Sequence, residues 1–366
     1  MLALEISPLT ERHHTGIANV TRAIAQQLFA DESVDGRFFI NRSELPRDLV
    51  RHALDLEDGE ALWWVAGRVE GHAQTPNDLD SPAIGIYPGH KWHRRLYPTE
   101  VLIVHDVTTL LEPDFHTEDA VTFWQSQHLG DMLTSDLIVA VSESTKMDIR
   151  TYYPQVAHLP CIVALEGVAH TTSNVPEGTN VEPYVLVLGT LEPRKNVEVM
   201  FACLAQNPEL LTKARFVFTG RWGWVVDVQS LIGKYGLERA VKDGRILLTG
   251  FVRDSVRDNL VRHARCVVYV TLYEGFGLPV TEALSVGTPV LTGRGSSLTE
   301  AGGDAAFYCD VSDANAVGRA LCEILSSADV QSAAARARRQ AWASQFAWPA
   351  TYRTVRDAAV SLATRR

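Results

Sequence analysis

No run of about eighteen apolar residues occurs in the 366-residue chain, so a membrane-spanning helix is excluded. The opening MLALEISPLTERHH lacks the basic start and long apolar segment of a secretory leader, and a cytoplasmic location is expected. Cysteine is scarce: Cys161, Cys203, Cys266, Cys309 and Cys322 are odd in number and scattered, with no CxxC. That usage fits reduced thiols and excludes a disulfide framework or a cysteine metal knuckle. A GxGxxG fingerprint is missing as well. Neither LEISPLTERHHTGIA nor VLGTLEPRKN supplies one, which argues against a dinucleotide-dependent oxidoreductase. Dense positive charge is also absent from the first half. Residues 1–170 hold 12 Lys and Arg against 25 Asp and Glu, a balance of −13, whereas residues 171–366 carry +3. An acidic half of this kind argues against a nucleic-acid partner, and the asymmetry suggests two halves with different ligands.

What is present is a rhythm. In the second half short β-branched or aromatic runs recur: YVLVLG (184–189), RFVFTG (215–220), RILLTG (245–250), CVVYVT (266–271), TPVLTG (288–293) and AAFYC (305–309). Amphipathic segments such as VEVMFACLAQNPELLTK and RDSVRDNLVRHA lie between them. Apolar strands alternating with helices predict βαβ units and a parallel sheet covered on both faces. In the first half LALEI (2–6), GRFFI (36–40), ALWWVA (61–66), VLIVHD (101–106) and DLIVAVS (136–142) read as strands. Helices are expected over 16–30, 118–134 and 143–153. The fold class is therefore α/β, with two doubly wound domains: 1–170, a polar Gly- and Pro-containing linker at 171–183, and 184–345, followed by a last helix at 346–366. No internal repeat or low-complexity tract is seen.

Two stretches carry chemistry. GTLEPRKNVEVMF (189–201) follows the first strand of the second half, with Arg194 and Lys195 at an exposed turn and Asn196 as the N-cap of a helix beginning at Val197. Two cations beside helix-end amides can hold phosphate. YEGFGLPVTEALSVG (273–287) places Gly275 and Gly277 ahead of a helix with Pro279 in its first turn and Gly287 at its end. Glu274 stands at the helix mouth and Glu282 within it. A carboxylate accepts two hydrogen bonds in fork geometry, which suits the vicinal hydroxyls of a sugar. Together these features describe a pocket for a sugar attached to a nucleoside diphosphate at the carboxyl ends of one sheet.

The segments LGTLEPRKN, LLTGFVRDSVRDNLVRHARCVVYVTLYEGFGLPVTEALSVGTPVL and GRGSSLTEAGGDAAFY resemble the retaining group 1 glycosyltransferases of family GT4. The Glu274-to-Glu282 spacing, E-x7-E, is the most specific part of the match. TGIANVTRAIAQQL, VLIVHDVTTLLEPDFH and VAVSESTKMDI extend the resemblance into the first half, and SQFAWPATYRTVRDAAVSLA is similar to the family's last helix. The resemblance implies a GT-B fold, two Rossmann-like domains facing across a cleft, with the last helix crossing back onto the first. It assigns acceptor binding to the first domain and the nucleotide sugar to the second. Arg194 and Lys195 would bind the donor diphosphate and neutralise the leaving group. Glu282 would hold the ribose, and Glu274 the transferred sugar, with the amides of Phe276, Gly277 and Leu278. Gly189, Gly275, Gly220, Arg221, Phe251 and Val252 complete the donor site, the last four around the base. From the first half Gly16 would lie near the diphosphate and His105 would reach the sugar. The pattern is most like bacterial mannosyltransferases that use GDP-mannose to build polysaccharide or O-antigen. UDP-hexoses remain open as donors, and a glycan or polyprenyl-diphosphate-linked molecule is the expected acceptor.

No cofactor and no metal are expected, since Arg194 and Lys195 can take the metal's part. DLD (78–80), the nearest match to a metal-binding DxD, lies in NDLDSP rather than at a strand end. The chemistry implied is a front-face substitution with retention, although Glu274 as a covalent nucleophile is an alternative. A nucleotide-sugar epimerase or phosphorylase-like enzyme of the same fold is the competing function. His13 and His14 could line the acceptor side or belong to a polar loop. HKWHRRLYP (90–98) could touch the phosphate of a polyprenyl-diphosphate acceptor, which the acidic surroundings favour over a weak peripheral contact with anionic headgroups at the inner face of the membrane, or be an exposed basic turn.

Overall fold

The computed structural model describes residues 1–11, 16–54, 83–93, 95–168, 182–221, 223 and 227–365. ALWWVA (61–66), DLD (78–80), His13, His14, Arg94 and the linker stretch 169–181 lie outside them. The chain divides into two compact units, residues 1–167 with 346–366, and residues 168–345.

The first unit is built on strands β1 (Leu2–Glu5), β2 (Gly36–Ile40), β3 (Ser43–Leu45), β4 (Ile84–Tyr87), β5 (Thr99–Val104), β6 (Leu137–Ala140) and β7 (Cys161–Val163). Their order is β3-β2-β1-β4-β5-β6-β7, parallel except for the β2–β3 pair. That pair is a two-residue hairpin, in which Asn41 adopts φ 60°, a conformation asparagine tolerates well. Every residue of β1, β4, β5 and β6 is buried, as a sheet covered on both faces requires. β3, β4 and β7 are additions to the sequence reading. IGIYPG is a short run punctuated by Gly and Pro, and periodicity cannot separate so brief an apolar segment from a loop. The helices Gly16–Ala30, Glu118–Leu133 and Glu143–Tyr152 fall where expected. Helix Trp348–Ala363 packs within this unit against helix Gly16–Ala30 and strands β4 to β6. It is pinned by Tyr352 and Arg356, both donating to Asp31 at 2.8 and 2.7 Å.

The second unit contains β8 (Tyr184–Leu188), β9 (Arg215–Thr219), β10 (Ile246–Gly250), β11 (Cys266–Tyr269), β12 (Val290–Thr292) and β13 (Phe307–Tyr308). The order is β10-β9-β8-β11-β12-β13 and every pairing is parallel. Counted from β8, this is the 3-2-1-4-5-6 order of a doubly wound nucleotide-binding sheet. The direction of winding reverses between β8 and β11, and doubly wound sheets bind ligands outside the carboxyl ends at such a reversal. One face is filled by helix Val197–Gln206, where Phe201 stacks on Phe218 of β9 at 4.9 Å. The other face is covered by helix Leu278–Ser285 through Val280, Ala283 and Leu284. The loops leaving β8 and β11 are thereby held between two packed layers, and these loops carry the chemical residues.

Candidate active site

From β8 the chain runs through Gly189 into a short 3-10 turn, Pro193–Lys195, closed by Asn196. Asn196 precedes the helix at Val197 as expected, but it does not cap it. It adopts the left-handed conformation, φ 54°, and its amide donates to the carbonyls of Val270 and Val311 at 3.1 and 2.7 Å. The asparagine thus ties the β8 loop to the end of β11. The carbonyl of Arg194 completes the tie, accepting from Leu272 N and Thr271 Oγ1, both at 2.9 Å.

The Arg194–Lys195 turn is not exposed. Their side chains are 15% and 14% accessible, and each is neutralised. Arg194 pairs with Glu192 at 3.1 Å and with Glu274 Oε2 at 3.0 Å, and donates to Tyr273 O at 3.0 Å. Lys195 meets Glu274 Oε1 at 2.5 Å and the Tyr269 hydroxyl at 2.7 Å. Thr271 donates to the same Glu274 oxygen at 2.9 Å. Two cations and two carboxylates therefore share one buried cluster, with no formal charge left over. Burial by itself would raise the Glu274 pKa, but Arg194 and Lys195 outweigh it and hold the carboxyl down at about 2. Lys195 is shifted down by burial and then by Arg194, and burial shifts Glu192 up.

Glu274 is oriented from behind. Its amide donates to Ser296 Oγ and its carbonyl accepts from Ser297 Oγ, each at 2.9 Å. Gly277 at φ 104° turns the chain into helix Leu278–Ser285, with Pro279 in the first turn. A Cβ there would also press Leu298 at 3.1 Å, so glycine is required. Glu282 lies within that helix and pairs at 3.3 Å with Arg257 of helix Asp254–His263. Glu282 leads the three carboxylates that raise the Arg257 pKa, ahead of Asp254 and Asp258.

The remaining residues expected of a donor site spread along the same sheet edge. Gly220 and Arg221 follow β9, and Phe251 and Val252 follow β10, with Phe251 46% exposed. Gly220 has a packing reason of its own. At φ 155° its Cβ would sit 1.9 Å from the Gly189 carbonyl, so the two strand ends touch backbone to backbone. Sequence reasoning missed Glu192, Tyr269, Thr271, Ser296 and Arg257. Glu192 was adjacent to a recognised motif; the others stood in runs that read only as strand, loop or amphipathic helix. Among the described residues no group of three or more His, Cys, Asp and Glu side chains forms a metal-ligand set.

In the first unit His105 follows β5, as expected, and is partly buried, its side chain 15% exposed. Its Nδ1 faces Glu166 Oε1 at 3.1 Å and its Nε2 faces the Pro88 carbonyl at 2.7 Å. Both partners are acceptors, so the doubly protonated ring satisfies both. Burial lowers the His105 pKa, but the hydrogen bond and charge of Glu166 prevail and the net shift is upward. Gly16 begins helix Gly16–Ala30, and no described atom lies within 4 Å of where its Cβ would be. The HKWHRRLYP stretch departs from its reading as an exposed basic turn at Lys91, while Arg95 stays half exposed. Lys91 is fully buried in an ion pair with Glu100, and Arg95 makes a bidentate pair with Asp136 at 2.5 and 3.2 Å. The two described cations of that stretch are already neutralised, which leaves little to attract anionic headgroups.

Comparison with known proteins gives this chain its relatives. Residues 172–341 match the glycosyl transferases group 1 family. The chain is 29% identical over 262 residues to O-antigen chain mannosyltransferase B of Escherichia coli, covering 68% of this chain and 66% of that protein. It is 26% identical over 215 residues to the serotype-specific mannosyltransferase WbdA of Escherichia coli, covering 55% of this chain and 26% of the relative. The matches thus span just under two thirds of the first relative and about a quarter of the second. Among solved structures, WaaG, a glycosyltransferase involved in lipopolysaccharide biosynthesis, superposes with TM-score 0.64 at 14% identity, over 99% of both chains. A sucrose-phosphate synthase from Thermosynechococcus elongatus gives 0.67 at 16% identity, over 100% of this chain and 99% of that one. At such identity these likenesses speak for the fold, which is GT-B.

Proposed function

We propose that this chain, whose fold is GT-B, is a group 1 glycosyltransferase that acts as a retaining, metal-independent hexosyltransferase. In this reading it moves mannose from GDP-mannose to a glycan or lipid-linked acceptor in polysaccharide or O-antigen synthesis. The observation that carries the reading is the buried Arg194–Lys195–Glu274 cluster at the carboxyl ends of β8 and β11. Ligands of doubly wound sheets bind at that reversal of strand order. A donor diphosphate brings negative charge to two cations that share Glu274, with Glu192 as a second carboxylate partner of Arg194. It would compete with Glu274 for them and turn that carboxylate towards sugar hydroxyls.

As the C1–O bond to the diphosphate breaks, charge accumulates on the departing oxygen. Cations already fixed by packing stabilise it without reorganisation. The acceptor oxygen then bonds to C1 on the same face, and its proton passes to the donor phosphate. Glu282, braced by Arg257, supplies the fork for the ribose. The mannose preference rests on the names of the Escherichia coli relatives.

Thermal unfolding with GDP, UDP, ADP or NAD at one fixed concentration tests the donor, because a ligand of the folded state alone raises its stability. Stabilisation by GDP alone supports the reading; UDP alone retains the transferase and discards GDP-mannose. Stabilisation by none, or by NAD alone, refutes it. Transfer that fails in EDTA and returns with Mn²⁺ or Mg²⁺ would overturn metal independence.

A further inference from the structure

The carboxyl edge of the first sheet holds a constellation that donor chemistry does not use. Trp92 is 54% exposed, yet its indole is fixed. Its ring packs edge-on against His90 at 4.4 Å, and its Nε1–H donates to Ser7 Oγ at 3.2 Å. Ser7 in turn donates its hydroxyl and its amide to the two oxygens of Glu5, each at 3.0 Å. Glu5 is the last residue of β1 and is 2% exposed. Behind His90 stand Phe123 and Trp124 of helix Glu118–Leu133, with ring centroids at 5.3 and 5.8 Å. The winding of this sheet reverses between β1 and β4, so the cluster occupies its ligand-binding edge.

An exposed indole immobilised by a hydroxyl, itself held by a buried carboxylate, is a preorganised flat surface. Flat aromatic faces carry negative charge density and attract the C–H face of a pyranose. Among the described residues the neighbouring cations do not favour an anion: Lys91 and Arg95 are paired with Glu100 and Asp136. We propose that Trp92, positioned through Ser7 and Glu5, is the platform on which a neutral sugar ring of the acceptor glycan stacks. This rests on the transferase reading for the word acceptor, but not for the sugar.

The test is titration of the full chain with α-1,2-linked mannotriose, and with cellotriose for comparison, followed by saturation-transfer NMR. The Trp92→Ala chain should bind about tenfold more weakly than the unaltered one, while Trp92→Phe, which keeps a ring, restores most of the loss. Ser7→Ala should fall between, because the ring survives but is no longer held. Nucleotide stabilisation should be the same in all four proteins, which separates lost stacking from lost folding. Trisaccharide binding by Trp92→Ala at the unaltered affinity overturns the proposal. So does the absence of any trisaccharide binding by a chain that nucleotides stabilise. Trp92-dependent binding without any nucleotide effect would uphold the platform and refute the transferase reading instead.

Discussion

The carboxyl edges of the two sheets differ in chemistry although their scaffolds are alike. Both sheets are wound outward from a first strand, β1 or β8, and both reverse between that strand and the fourth or, in the first unit, β4. At the second edge four formal charges face one another across β8 and β11 and cancel. At the first edge the described groups are a buried glutamate, a hydroxyl, an exposed indole and a histidine saturated by acceptors. On the proposed reading, one scaffold serves a polyanion in one unit and suits a neutral polyol in the other. The topology decides where a ligand sits, and a few side chains decide its charge.

The contrast breaks most sharply at Lys195. Lys195→Ala is expected to lower transfer by about a thousandfold at saturating donor, the cost of removing one fixed electrostatic stabiliser from a charge-separating step. Mass-spectrometric assay of transfer to a mannoside acceptor reads it, and a rate near the unaltered one would detach the cluster from the chemistry.

The two edges should also respond to pH with opposite sign. Glu274 has a pKa of about 2 in the folded unit against an ordinary 4.5. Its contribution, about 3 kcal/mol, is present above pH 4.5 and is lost as pH falls towards 2. Glu5 runs the other way: burial raises its pKa to about 7 despite the Ser7 bonds. The folded first unit then binds the proton more tightly, and stability of comparable size, about 3 kcal/mol, is lost as pH rises from 4.5 to 7. His105, also shifted upward, adds to the loss on the alkaline side. Hydrogen exchange of β1 and β8 amides, corrected for intrinsic rates, separates the units. Glu274→Gln should flatten the acid slope at β8, and Glu5→Gln the rise-of-pH slope at β1. Slopes of the same sign in both units would end the comparison.

The smallest effect sharpens it. Gly277→Ala forces an L-residue to φ 104° against Leu298 and should cost about 1–3 kcal/mol, read as a lowered melting temperature. Unaltered stability would show that the turn carrying Glu274 relaxes freely.

Much of this was legible before any coordinates. The six strands of the second sheet, the helix after Gly277 and the E-x7-E pair all lie where the apolar runs and punctuation put them. Period and turn chemistry are local properties, and local properties survive in a string. The misreadings share a cause. Asn196 looked like a cap because caps and left-handed bridges use the same residue type. Arg194 and Lys195 looked exposed because charge ordinarily is, and Lys91 looked like part of a basic patch for the same reason. Burial of a charge depends on its partner, and the partners are remote: Glu274 lies 79 residues from Lys195, and Ser7 lies 85 from Trp92.

The sequence by itself determined that this protein is two α/β units, with the Arg194–Lys195 turn and the E-x7-E pair in the second. Hydrophobic periodicity and glycine placement dictate backbone form without knowledge of neighbours. The tertiary structure alone decided that the cations are buried and compensated, that Glu282 leans on Arg257, and that Trp92 is held flat at a sheet edge. Each of these is a pairing between separate loops or helices brought together by the winding of a sheet, and only the folded chain places such partners within hydrogen-bonding distance.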